Sequence, residues 1–195
     1  MRRVGGVRYR ERGANQLLLT LHQIDAAMTA TNIPPIESLA TAEPSPRVAS
    51  IVRPGEGRRV RAFGNEIEFM LTGEQTAGSL TLGVATVPAG NGPPAHIHSV
   101  DDELFIITEG EYRVYLDGEW TNVGPGSVVY LPRGSTHTFQ VVGPTPGKHW
   151  VLTTPSGFER FFARTAEVFA TPGPPDFARI AAINAEFGLR FAEQR

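Results

Sequence analysis

The chain has 195 residues, 41% of them hydrophobic and 19% charged, with a net charge of −2; that length can form one domain with its own core. It has no cysteine, which excludes disulfides, thiolate-bound zinc, iron–sulfur clusters and a cysteine nucleophile. There is no basic excess to mark a nucleic-acid footprint, and no apolar run approaches the ~18 residues that span a bilayer. The reading is a cytoplasmic protein with no nucleic-acid and no membrane partner.

Residues 1–46 read as an N-terminal extension, poorly ordered. The first twelve residues carry Arg2, Arg3, Arg8, Arg10 and Arg12 against Glu11. A helical stretch is expected from about Asn15 to Met28, and Met28 is an alternative start. Ile33-Pro34-Pro35-Ile36 and Pro44-Ser45-Pro46 then read as linker.

Residues 47–155 change to short apolar runs between turn signals. The 21 glycines and 16 prolines fit many short strands better than a helical bundle. Strands are expected at Ala49–Val52, Arg58–Phe63, Ile67–Leu71, Leu80–Val87, Ala95–His98 and Glu103–Thr108. Five more follow at Tyr112–Leu116, Glu119–Val123, Val128–Leu131, His137–Val142 and His149–Thr154. Asp117-Gly118 suits a two-residue hairpin turn, and Glu109-Gly110-Glu111 reads as another hairpin. This spacing predicts an all-β sandwich or barrel. No glycine-rich phosphate loop follows a strand, so nucleotide binding is not expected.

Residues 156–195 read as a helical tail. Phe158, Phe161, Phe162, Thr165 and Val168-Phe169 recur at helical spacing, as do Phe177, Ile180, Ala181, Asn184 and Phe187. Asp176 starts the second helix and Gly188 can end it. Both apolar faces are expected to pack on the outside of the β-domain or on a second subunit.

The chemistry lies in two segments, Gly90 to Gly110 and Gly126 to His137. His96 and His98 alternate on one strand, so both imidazoles share a face. Glu103 opens the next apolar strand and reaches the same point if that strand runs antiparallel to the first. His137 opens a later strand after the Pro132–Ser135 turn. Three imidazoles and one carboxylate suit one divalent transition metal: Fe, Mn, Ni, Co, Cu or Zn. Four protein ligands leave a coordination position open, as a catalytic metal needs. Asp101 and Asp102 read as solvated turn residues, Arg133 as a solvated turn residue, and His149 as structural. Same-face alternation makes Phe105, Ile107, Phe139 and Val141 candidate lining of a substrate pocket; Tyr115, Tyr130 and Trp150 have no assigned facing.

The two segments resemble the two cupin motifs, G-x5-H-x-H-x4-E-x6-G and G-x5-P-x-G-x2-H, with every fixed position filled from Gly90 to His137. One departure is Val141, where the family often has Asn four residues past the last histidine. The resemblance implies a double-stranded β-helix, the jelly-roll barrel, with the metal in its mouth. Pro155-Ser156-Gly157-Phe158-Glu159-Arg160-Phe161-Phe162 and the tail Phe187-Gly188-Leu189-Arg190-Phe191 are similar to single-domain quercetin 2,3-dioxygenase-like cupins.

That similarity implies a metal-dependent dioxygenase cleaving a flavonol or related enolizable aromatic with O2. His96, His98, Glu103 and His137 would hold the metal, and Glu103 would also act as the general base. Alternatives are another metallocupin enzyme, an isomerase or decarboxylase, and a non-catalytic small-molecule-binding cupin. The expected partners are a small-molecule substrate and O2, and edge strands with amphipathic helices suggest a homodimer.

Overall fold

The structure, a computed structural model, describes residues 49–171 and 173–192. The extension 1–46 and its expected helix lie outside these residues. Eleven strands form among them: β1 Arg58–Ala62, β2 Asn65–Leu71, β3 Thr81–Val87, β4 His96–His98, β5 Asp102–Glu109, β6 Tyr112–Leu116, β7 Glu119–Val123, β8 Val128–Leu131, β9 Thr136–Val141, β10 Gly147–Thr154 and β11 Leu189–Phe191. Three helices accompany them: α1 Gly73–Thr76, α2 Phe158–Phe169 and α3 Phe177–Glu186. Among the described residues, no helix is long and apolar enough to cross a membrane.

The strands make two antiparallel sheets. One runs β1-β2-β3-β10-β5-β8 and the other β11-β4-β9-β6-β7. Period-two burial faces one side of each sheet inward. In β10, Gly147, His149, Val151 and Thr153 are buried while Lys148, Trp150 and Leu152 are half-buried. The inward residues form one core, with Phe69, Val87, Phe105 and Ile107 from the six-stranded sheet and Tyr112, Val114, Phe139 and Val141 from the other.

Ten of the eleven expected strands are present. Ala49–Val52 is not a strand, and Ile51 is 84% exposed. Asp117 and Gly118 turn between β6 and β7 with φ of 45° and 113°, the left-handed conformation a two-residue turn demands. Glu109-Gly110-Glu111 is not a hairpin, because β5 and β6 lie in different sheets. The chain crosses from sheet to sheet there. Gly110 has φ +84°, and a Cβ on it would stand 2.7 Å from the Gly147 Cα, so the crossing needs glycine.

The tail is part of the barrel. On α2, Phe161 and Phe162 are buried in the core cluster, with Phe63 packed against it. Phe63 stacks on Phe161 at 6.2 Å and meets Phe169 edge-on at 5.0 Å. The buried Glu159 ties the start of α2 to β3 and α1, accepting from the Thr81 hydroxyl and from the Gly73 N–H. Asp176 caps α3 by accepting from the Arg179 N–H at 3.0 Å. Gly188 then turns the chain with φ +70° into β11. That strand pairs with β4, Leu189 opposite His98 and Phe191 opposite His96. The tail therefore packs on the β-domain, as expected, and it also supplies core residues and a strand.

Candidate metal centre

The four residues His96, His98, Glu103 and His137 come together. One ligand atom from each lies within 4.8 Å of the others. The three histidines belong to neighbouring strands of one sheet, with His96 directly opposite His137 across the β4–β9 pair. Glu103 arrives from β5 in the opposite sheet. Its reach is therefore across the barrel interior, and β4 and β5 do not pair.

Each imidazole is held from outside by its Nδ1. His98 Nδ1 lies 2.8 Å from Asp101 Oδ2, and His96 Nδ1 lies 2.8 Å from the Pro94 carbonyl. His137 Nδ1 lies 3.3 Å from the Ser135 carbonyl. A carbonyl or carboxylate on Nδ1 fixes the proton there and leaves Nε2 with a lone pair. The Nε2 atoms of His98 and His137 are buried without a hydrogen-bond partner. His137 Nε2 lies 3.3 Å from Glu103 Oε2, without the alignment of a hydrogen bond. Buried nitrogens are rarely left unpaired. Orphaned nitrogens facing a carboxylate are what a cation-binding donor set requires, so these residues fit a divalent transition metal.

The electrostatics agree. Burial pushes the His96 imidazole down to about 4, helped by the neighbouring imidazoles of His137 and His98, so it is neutral at pH 7. Burial also opposes charge on His98, but its contacts with Asp101 and Glu103 outweigh that and raise it. Burial works against the Glu103 carboxylate, yet the three surrounding imidazoles hold it down at about 2.

Asp101 is thus no solvated turn residue: it orients a ligand-bearing ring. Asp102 and Arg133 pair with each other, Arg133 Nε to Asp102 Oδ1 at 2.9 Å, which locks the β4–β5 and β8–β9 turns together. Arg133 does not line the cavity beside the cluster.

That cavity is bordered by His96 and Glu103. Phe105 and Phe139 line it. Ile107 and Val141 face inward but lie deeper in the core and do not reach it. Tyr130 is exposed, and Tyr115 packs against Trp120 at 5.4 Å. Trp150 also points away from the cavity, since the alternate residues His149 and Val151 line it.

Several lining residues had no such assignment: Phe63, Phe158, Phe161 and Phe162, with His149 and Asn184. The parity of β10 holds the signal for His149, which shares its face with buried Val151. Helical spacing marked the phenylalanines as buried without telling what they bury against.

Residues 83–152 match the family model described as Cupin domain. The chain is 25% identical over 100 residues to quercetin 2,3-dioxygenase of Bacillus subtilis, covering 50% of this chain and 29% of that protein. It is 32% identical over 68 residues to an uncharacterized protein of Methanocaldococcus jannaschii, covering 35% of this chain and 54% of the other. The chain thus spans about a third and about half of these curated relatives. Among solved structures, KdgF from Halomonas sp. superposes with a TM-score of 0.52 at 18% identity, over 58% of this chain and 99% of the other. A predicted oxalate decarboxylase from Thermotoga maritima gives 0.50 at 20% identity, over 54% and 99%. These two likenesses show the fold alone.

Proposed function

We propose that this chain, which carries a cupin domain, is a metal-dependent dioxygenase acting on a flavonol or related enolizable aromatic with O2. The observation that carries the reading is the buried cluster of His96, His98, Glu103 and His137 opening onto a phenylalanine-lined cavity. The similarity to a quercetin 2,3-dioxygenase over 100 residues supports it.

When bound, a divalent transition metal would supply Lewis acidity and redox access to O2. The rest falls to the chain. His96, His98 and His137 present Nε2 inward because their Nδ1 atoms are occupied. Glu103 sets a carboxylate oxygen among those nitrogens, where it can accept the proton of a phenolic hydroxyl. The phenylalanine walls exclude water from the reacting oxygens.

The test is oxygen uptake on adding quercetin to protein loaded in turn with Fe, Mn, Ni, Co or Cu. Uptake is expected to match flavonol loss. Glu103→Gln is expected to lower the rate by about 10²- to 10⁴-fold, with bound metal assayed in the same sample. No uptake with any of these metals would remove the flavonol assignment. We also propose a homodimer, supported by the exposed Ile106, Val128 and Tyr130 beside the edge strand β8; a monomer in sedimentation equilibrium would overturn it.

A further inference from the structure

Beside the metal cluster, the cavity wall carries three polar side chains that the proposed chemistry does not use, and one of them, Asn65, already accepts from the Asn91 amide at 2.7 Å. His149 sits on β10 and is 2% exposed. Its ring lies among apolar neighbours, 4.6 Å from Phe105 and 5.3 Å from Phe139. Its Nδ1 is 3.0 Å from the Tyr112 hydroxyl. Asn184 sits on α3 and is 4% exposed. Its amide oxygen has no hydrogen-bond partner among the described residues. Both residues line the same cavity as His96 and Glu103.

The hydrogen bond between Tyr112 and His149 has a direction. Burial pushes the Tyr112 hydroxyl up, so it keeps its proton, and His149 Nδ1 is its one hydrogen-bond partner among the described residues. With the hydroxyl as donor, Nδ1 accepts and the ring proton sits on Nε2. Burial also pushes the imidazole down to about 4, leaving it neutral. A neutral ring with Nε2–H is a hydrogen-bond donor without charge. The Asn184 amide oxygen is a second polar group, and a buried oxygen without a partner is costly unless something that enters the cavity satisfies it. Most of the remaining wall is apolar, with Phe105, Phe139, Phe158, Phe161 and Phe162 offering faces that suit a flat ring.

We propose that His149 and Asn184 are specificity-determining residues that read the oxygen substituents of a planar aromatic ligand. His149 donates from Nε2–H to a ligand oxygen, and the Asn184 amide pairs with a hydroxyl. Tyr112 is a positioning residue that holds the His149 tautomer. The proposal rests on the dioxygenase reading for the identity of the site as a substrate pocket. It adds that selectivity among aromatics comes from these two side chains and not from the metal cluster alone. Sites built around hydrogen bonds reject analogues that lack the partner, because their own polar groups are then stranded.

The test uses 2-naphthol and naphthalene, which differ by one hydroxyl, titrated into the full-length protein and followed by ligand fluorescence. Wild type is expected to prefer 2-naphthol by about tenfold or more. His149→Phe and Asn184→Leu should each remove most of that preference, while metal affinity and thermal midpoint confirm an intact fold. Tyr112→Phe should weaken the preference less and leave the naphthalene affinity alone. An unchanged preference in His149→Phe and Asn184→Leu overturns the proposal, as does failure of wild type to bind or discriminate the pair. Oxygen uptake with quercetin separates the two readings. Lost preference in the variants without quercetin turnover in wild type would sink the flavonol assignment and leave the two anchors standing.

Discussion

At one end the cavity meets His96 and Glu103 of the metal cluster; at the other its wall is largely phenylalanine. The polar end hangs on strands, with His96 and His98 two residues apart on β4 and His137 directly across from His96. The apolar end is assembled from distant pieces, Phe63 after β1 and Phe158, Phe161 and Phe162 on α2. Strand geometry alone sets the facing of the first set. Tertiary packing sets the second. The two ends therefore should fail differently, with metal affinity reporting one and global stability the other.

The largest expected effect is on the apolar end. Phe161 is 4% exposed and touches Phe63, Phe158, Phe162 and Phe187. Phe161→Ala should cost about 3–5 kcal/mol in a denaturant titration. If metal affinity of the folded variant falls as well, the two ends are not independent.

Next is the support of the polar end. Asp101→Ala removes the carboxylate on His98 Nδ1 and should weaken Ni(II) or Mn(II) binding by about 10- to 100-fold, with little change in the denaturant midpoint. An unaltered affinity in calorimetric titration would show that Asp101 does not hold the ring.

A third effect appears in acid. In metal-free protein His96 and His149 have folded values of about 4, against an ordinary 6.5. Between these values the unfolded chain binds more protons, so stability falls as pH drops from about 6.5 toward 4. Each group contributes a slope of up to about 1.4 kcal/mol per pH unit in that window. Glu103, held near 2, adds its loss only as pH falls below the ordinary carboxylate range. The raised His98 works the other way, since its contribution is present in acid and lost as pH rises. His149→Phe should flatten the slope between 6.5 and 4 by its own share; an identical slope in wild type and variant would place His149 in a wetter setting.

The polar end was legible in sequence because its information is local. The H-x-H alternation, the turns that flank it and the position of Glu103 each follow from strand period and short-range turn chemistry. What sequence did not reveal is that Glu103 reaches from the opposite sheet, since pairing partners depend on the crossing at Gly110. Asp101 looked like a turn residue because nothing in its neighbours' spacing announces a bond to the far side of His98. The tail helices were legible as amphipathic, with Asp176 as cap. Their share in the barrel core was not, and β11 is three residues long, too short for a periodic pattern. His149 and Val151 share a parity with the buried face, but parity cannot distinguish core from cavity wall, and the same limit kept Ile107 and Val141 beside Phe105 and Phe139.

The strand that carries two of the three imidazoles is three residues long, yet it is flanked on both edges, by β9 and by β11. Its backbone is fixed when the barrel forms, not when something arrives to be bound. An incoming ion then meets rings already aimed, and ordering of the chain contributes little to the thermodynamics of uptake. The calorimetric signature should be a heat-capacity change close to zero, in contrast to the large negative value of a site that folds around its guest.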